Sequence, residues 1–204
     1  MGKPRGGGDL NLVNMLKTLT IFLSNKNCDL KIKYIKSKDN PADAPSRRIS
    51  EADSRLTTYS WGKVQDWFGP HTFDLMSLDS NCMKNAEGQQ LPHFTPWPLP
   101  ESSGVNVFCQ HLTSEHNYYV FPPFNMVGAM VSFLLHDCRT PLYVSIVVPK
   151  PTPTPAWWPL LIHKAKTHRQ LGEQGRLGIV ENPSQSGFKP SNLRWDLWVV
   201  RLEI

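Results

Sequence analysis

The chain has 204 residues, 40% of them hydrophobic and 19% charged, with seven tryptophans and nine phenylalanines. That excludes a disordered polyelectrolyte and leaves room for one domain with a core, or for one domain and part of another. The net charge of +5 is mild but unevenly placed: Lys31, Lys33, Lys36, Lys38, Arg47 and Arg48 fall in one stretch, and Lys164, Lys166, His168 and Arg169 in another, segments that suit either a polyanion or solvated faces.

Residues 10–24, "LNLVNMLKTLTIFLS", place Leu12, Met15, Leu16, Leu19, Phe22 and Leu23 on one stripe of an amphipathic helix. "DLKIKYIKS" then alternates Leu30, Ile32 and Tyr34 against Lys31 and Lys33, the pattern of a half-buried strand with a basic outer face. Pro41 and Pro45 forbid a regular helix beyond it, so Asp43 sits at a turn. A new pattern starts at Trp61: Trp61, Val64, Trp67 and Phe68 predict a short helix stopped by Gly69-Pro70, and "TFDLMSL" predicts a strand ending near Asp74.

From Asp79 to Glu101 the chain is rich in Asn, Pro and Gly and reads as an irregular excursion across the mouth of a sheet. "VNVFCQHL" reads as a strand or a short helix, "YYVF" as a buried strand, Met126 to Leu135 as a helix and "LYVSIVV" as a second buried strand. Ala156 to Leu171 reads as one helix led by Trp157 and Trp158, and "LGIVENP" and "RWDLWVVRLEI" as two last strands. The alternation of strands and helices from Trp61 onward predicts an α/β fold with an open, Rossmann-like sheet and flanking helices. In such sheets ligands sit beyond the carboxyl ends of the strands, where Asp74, the Phe121-Pro122-Pro123-Phe124 corner and the proline-rich loop after Pro149 all fall.

Cys28, Cys82, Cys109 and Cys138 stand 27 or more residues apart, without a Cys-x-x-Cys pair or a secretory signal ahead of them. They predict reduced thiols in an intracellular protein, nucleus or cytoplasm left open. His111 with His116, and His163 with His168, are spaced five apart, off the i, i+4 face of a helical zinc site. No apolar run reaches the ~18 residues of a membrane span, so no membrane partner is expected.

Double prolines at a strand end serve amino-group methyltransferases in the form Asp/Asn/Ser-Pro-Pro-Tyr/Phe/Trp. The first side chain and a backbone carbonyl accept hydrogen bonds from a weakly nucleophilic amine. The prolines hold them rigid, and the aromatic stacks on a base flipped from its duplex. Here Phe124 supplies the ring and Pro122-Pro123 the corner, but Phe121 offers no acceptor. The bland alternative makes Phe121 and Phe124 core residues and Asp74 a turn acid.

Residues 64–171 resemble the phage-type adenine-DNA methyltransferases, and more closely the methyltransferase-like domain of tyrosine-recombinase (DIRS-like) retrotransposons, through "FGPHTFDLMSLDSN", "LPHF", "GVNVFCQ", "YVFPPF", "IVVP" and "WWPLL" in that order. "NPADAPSRR" resembles the end of the ribonuclease H domain that precedes it in those polyproteins. The resemblance implies a helix-strand ribonuclease H-like remnant over residues 1–50, a linker over 51–60, a methyltransferase-like domain over 61–178 with an S-adenosylmethionine methyltransferase-like sheet, and strands in 179–204 that complete it. It implies Asp74 and Asn81 as S-adenosylmethionine-binding positions, and Pro122, Pro123 and Phe124 as the target-base corner, degenerate because Phe121 replaces the acceptor. Asp43 then matches the last metal-binding carboxylate of a ribonuclease H site, which cannot hold metal alone, so ribonuclease H activity is not expected. Three functions follow: a retroelement polyprotein fragment with an inactive methyltransferase-like domain associated with nucleic acid; an active DNA N6-adenine methyltransferase using a backbone carbonyl or Asn125 as acceptor; or a non-catalytic module that binds nucleic acid, DNA foremost.

Overall fold

A computed structural model describes residues 53–138, 141–184 and 186–204, and the helical positions Ile21 and Leu23. The chain divides into two units, Met1–Arg48 and Ile49–Ile204, and the account below concerns the second. The expected strand at 29–37, the turn at Asp43, the first basic segment and most of the helical stripe at 12–23 lie outside the described residues.

The body is mixed α/β and mostly sheet. Five strands form its centre in the order β2 (Phe73–Asp74), β5 (Asn117–Val120), β6 (Tyr143–Lys150), β10 (Asp196–Glu203) and β7 (Ala165–Gly172). β2, β5 and β6 run parallel, while β10 is antiparallel to both β6 and β7. A second sheet joins β1 (Arg55–Leu56), β8 (Leu177–Ser184) and β9 (Gly187–Asn192), and a small parallel pair joins β3 (Phe94–Thr95) to β4 (Gly104–Val105). Three α-helices are described: α1 (Thr58–Phe68), α2 (Val127–Ser132), which continues into a π-helical turn at Phe133–Asp137, and α3 (Trp157–Lys164).

Period-two alternation in the central strands builds one core on each side of the sheet. Tyr118, Val120, Val144, Ile146, Val148, Val200 and Leu202 face α2 and α3, where they meet Val127, Met130 and Leu161. Their neighbours Tyr119, Val147, Leu197 and Val199 face α1 and the second sheet, meeting Trp61, Val64, Ile179 and Val180. A Cβ on Gly128 would lie 3.2 Å from the Trp157 ring, so a residue without one lets α2 approach α3 closely. Trp157 is thereby a packing residue.

α1 starts where Thr57 accepts a hydrogen bond from Ser60 N at 3.2 Å and donates to the Gly178 carbonyl at 2.9 Å, tying the helix to β8. It ends at Gly69, as the Gly-Pro pair predicts. Asn117 secures that end: its amide donates to the carbonyls of Phe68 and Pro70, each at 2.8 Å, and its oxygen accepts from Arg201 on β10.

Three expectations need correction. The helix expected over Ala156 to Leu171 stops at Lys164, and residues 165–172 are β7, because β10 supplies a ladder that the local pattern does not reveal. Within the segment 179–204 only β10 completes the central sheet, while β8 and β9 belong to the second one. Residues 55–60, expected as linker, contribute β1 and the first turn of α1, and Leu56 is buried among Trp61, Val64 and Ile179. "VNVFCQHL" resolves into the end of β4 and a 3-10 turn at Val107–Cys109.

Leu56→Ala leaves a cavity between α1 and the second sheet and is expected to lower stability by about 2–5 kcal/mol. A urea unfolding midpoint indistinguishable from wild type would show that β1 contributes nothing to the folded body.

Candidate functional site

β2, β5 and β6 deliver their carboxyl ends to one side of the sheet, the side where open α/β folds place ligands. β5 leads directly into the corner. Val120 is buried in one core, Phe121 packs against the other, Pro122 is buried, and Phe124 emerges 49% exposed at the start of a 3-10 turn.

Two cavities flank this corner and share Phe121 and Pro123 as their dividing wall. The first, about 350 Å³, lies between the corner and the second sheet. Its walls are Phe121, Pro122, Pro123, Phe124, Pro149, Trp195 and Leu197, and its polar lining is uncharged apart from Arg194: Ser54, Asn125, Asn182, Ser191 and Asn192. Carboxamides at several points and no carboxylate suit a neutral planar heterocycle that both donates and accepts hydrogen bonds. Phe124 stacks on Trp195, with ring centroids 4.7 Å apart and planes inclined by 24°. Arg194 lies over the indole, its guanidinium carbon 4.6 Å from the ring centroid.

The second cavity, about 280 Å³, lies between the corner, the turn after β2 and the 3-10 turn after β4. Leu75, Met76, Ser77, Asn81, Phe94, Thr95, Val107 and Phe108 line it with Asp53 at one edge. Ligand pockets run from about 300 to 1,000 Å³, so it falls just short of that range.

The residues assigned to S-adenosylmethionine by resemblance are both engaged by hydrogen bonds within the protein. Asp74 lines neither cavity: it is 2% exposed, its Oδ1 accepts from Met76 N at 3.2 Å, and it terminates β2 from within. Burial pushes its carboxyl up to about 6, against the backbone donors of Met76 and Met83 and the nearby His93, which hold it lower. Asn81 does line the cavity, but its amide is committed within the protein: Oδ1 accepts from Leu78 N at 2.6 Å, and Nδ2 donates to the Asp53 carbonyl at 2.9 Å. On this geometry Asp74 offers the cavity no group, and Asn81 offers only what its two internal hydrogen bonds leave.

The excursion from Asp79 to Glu101 is held over the sheet by a specific clasp. The His93 ring reaches the Leu91 carbonyl at 3.0 Å and the Asp79 carboxylate at 2.9 Å, while the second Asp79 oxygen accepts from Glu101 N at 3.2 Å. The clasp positions Phe94, Thr95 and Pro96 against the second cavity.

The second basic segment does not form one charged face. Lys166 pairs with Glu203 at 3.5 Å, His168 packs on Trp198, and Arg169 lies over Trp67 on the opposite side of β7. Cys82, Cys109 and Cys138 carry free thiols, and burial pushes that of Cys138 up to about 11. No group of three or more potential metal ligands occurs among the described residues, and none of their helices is long and apolar enough to cross a membrane. Sequence reasoning placed Pro122, Pro123 and Phe124 at the site and named Asn125 as a substitute acceptor; it missed Asn182, Asn192, Arg194 and Trp195. The only local signal of Asn192, Arg194 and Trp195 is a polar, aromatic bend between two strands.

Because folded Asp74 titrates near 6 and an unfolded aspartate near 3.8, the folded state binds the extra proton between those values, so stability falls as pH rises through that window. Relative to Asp74→Asn, the wild type is expected to lose about 3 kcal/mol between pH 3.5 and 7.5. Parallel urea titrations check this, and a pH-independent difference between the two proteins would contradict it.

No protein-family model and no curated protein sequence matches the chain.

Proposed function

We propose that residues 53–204 are a methyltransferase-like body of retroelement origin that holds a nucleobase without methylating it. The observation that carries the proposal is the position of Phe121. Its side chain forms the wall between the two cavities and packs into the α1-side core, at the place where an amine-activating acceptor stands in the enzymes the chain resembles. A phenyl ring there accepts no hydrogen bond from an amine.

Three further features support this reading. Parallel β2, β5 and β6 bring their ends to the corner in an open α/β sheet. The first cavity combines an aromatic wall with carboxamides, the lining a planar base requires. The second cavity is small, with Asp74 turned away from it and Asn81 already engaged, which argues against S-adenosylmethionine as a working cofactor. The retroelement origin rests on the order of the resembling stretches.

Asn125 lines the base-side cavity and carries a second reading, in which it replaces the missing acceptor and the domain is an active adenine methyltransferase. Calorimetric titration with S-adenosylmethionine separates the two. The proposed function expects no heat at millimolar ligand, and no methyl incorporation into adenine of single-stranded or duplex DNA. Cofactor binding with methyl transfer that is lost in Asn125→Ala would replace it with the second reading.

A further inference from the structure

We infer that Phe124, Trp195 and Arg194 form a single stacking platform for the unpaired bases of a single-stranded nucleic acid, with Arg194 and Lys189 placed for its phosphates. The inference rests on the base-binding reading of the adjoining cavity and names its partner.

The geometry of the stack sets it apart from the molecule's other aromatic contacts. Phe124 and Trp195 are inclined by 24°, whereas every other ring pair among the described residues is inclined by 37° or more. Offset-stacked and edge-on pairs are both ordinary aromatic packing, but most of the other pairs contain a ring belonging to one of the two cores, whereas neither Phe124 nor Trp195 does. A near-parallel pair at the surface is arranged as stacked bases are. Phe124 contributes nothing to either core, yet keeps half its surface exposed beside a cavity. Nothing in the packing of the fold requires that exposure.

Arg194 lies beside the indole, its guanidinium carbon 4.6 Å from the ring centroid, and adds charge where a backbone would pass. Lys189 is exposed on β9, opposite Asn182, which lines the same cavity. The described ion pairs join Arg55 to Glu181, His93 to Asp79 and Lys166 to Glu203, so neither Arg194 nor Lys189 is neutralised by a carboxylate among the described residues. Flat aromatic faces, cations without a carboxylate partner among the described residues and a carboxamide-lined recess together select a polyanion that carries planar, hydrogen-bonding groups. A duplex hides its base faces within its own stack, so the partner is single-stranded.

The bend that carries Trp195 lies between buried Leu193 and Leu197, which fixes its backbone, while the half-buried indole belongs to neither core. Removing the ring therefore need not disturb the sheet.

Fluorescence anisotropy with labelled 12-nucleotide oligo-dU and oligo-U strands, which differ only in the 2′-hydroxyl, and with a duplex of the same length, tests the platform across a salt series. Trp195→Leu keeps apolar bulk and removes the π face, so it is expected to weaken single-strand binding roughly 10-fold and to leave duplex binding unchanged. Trp195→Tyr is expected to restore most of the loss. Arg194→Ala is expected to reduce the salt slope by about one. Single-strand binding by Trp195→Leu that equals wild type would overturn the platform while leaving the base-pocket reading in place. Failure of the wild type to bind any single strand would overturn both, and a preference between the two strands would identify the partner as DNA or RNA.

Discussion

β10 lies antiparallel between β6 and β7, and both cores depend on its alternation. Val200 and Leu202 complete the surface on which α2 and α3 rest, while Leu197 and Val199 complete the one on which α1 and the second sheet rest. Arg201, between them, reaches Asn117 and the buried hydroxyl of Ser145, and Asn117 in turn holds the end of α1. One strand thus ties the parallel part of the sheet to its far edge and fixes the helix that covers it. The corner at Phe121 stands at the end of the adjacent parallel strands, so the stability of β10 also determines how rigidly that corner is held.

The rigid corner separates two recesses of different character. On one side are carboxamides and stacked rings; on the other is a compact apolar space bounded by the clasped excursion from Asp79 to Glu101. In the proposed reading, an ancestral arrangement for transferring a group between two ligands has lost the acceptor between them and kept the recess that holds the base. On that reading Phe121 exchanges chemistry for packing: a partly buried ring adds to the α1-side core, and a polar acceptor at the same place would need a hydrogen-bonding partner when no ligand is bound.

Much of this organisation is legible in the sequence because its signals are local. The apolar runs of β5 and β6, the stripe of α1 with its Gly-Pro stop, and the proline corner all announce themselves within a few residues. β7 does not. "AKTHRQLG" contains good helix formers directly after a helix, and its strand geometry comes from β10, which is distant in the chain. β9, "GFKPSN", is polar, largely exposed and contains Pro190, so it lacks a core-facing pattern. At the site, Trp195 falls in a segment whose pattern reads only as a strand, because stacking on Phe124 is a relation between two distant segments. Asp74 shows the opposite difficulty: its place at a strand end was correct, but position alone does not tell whether a carboxylate points outward to a ligand or inward to cap its own turn.

The central sheet also imposes an order of events during synthesis. β6 and β7 flank a gap that only β10 fills, so a chain emerging from the ribosome carries two open strand edges, one of them on the strongly apolar β6, until its last sheet strand is made. Such edges are templates for pairing with other chains. The charges at Lys166 and Arg169 on β7 make that strand a poor template, whereas β6 has Lys150 alone among its eight residues. A nascent chain that ends after β6 therefore exposes an apolar strand edge that the finished sheet covers.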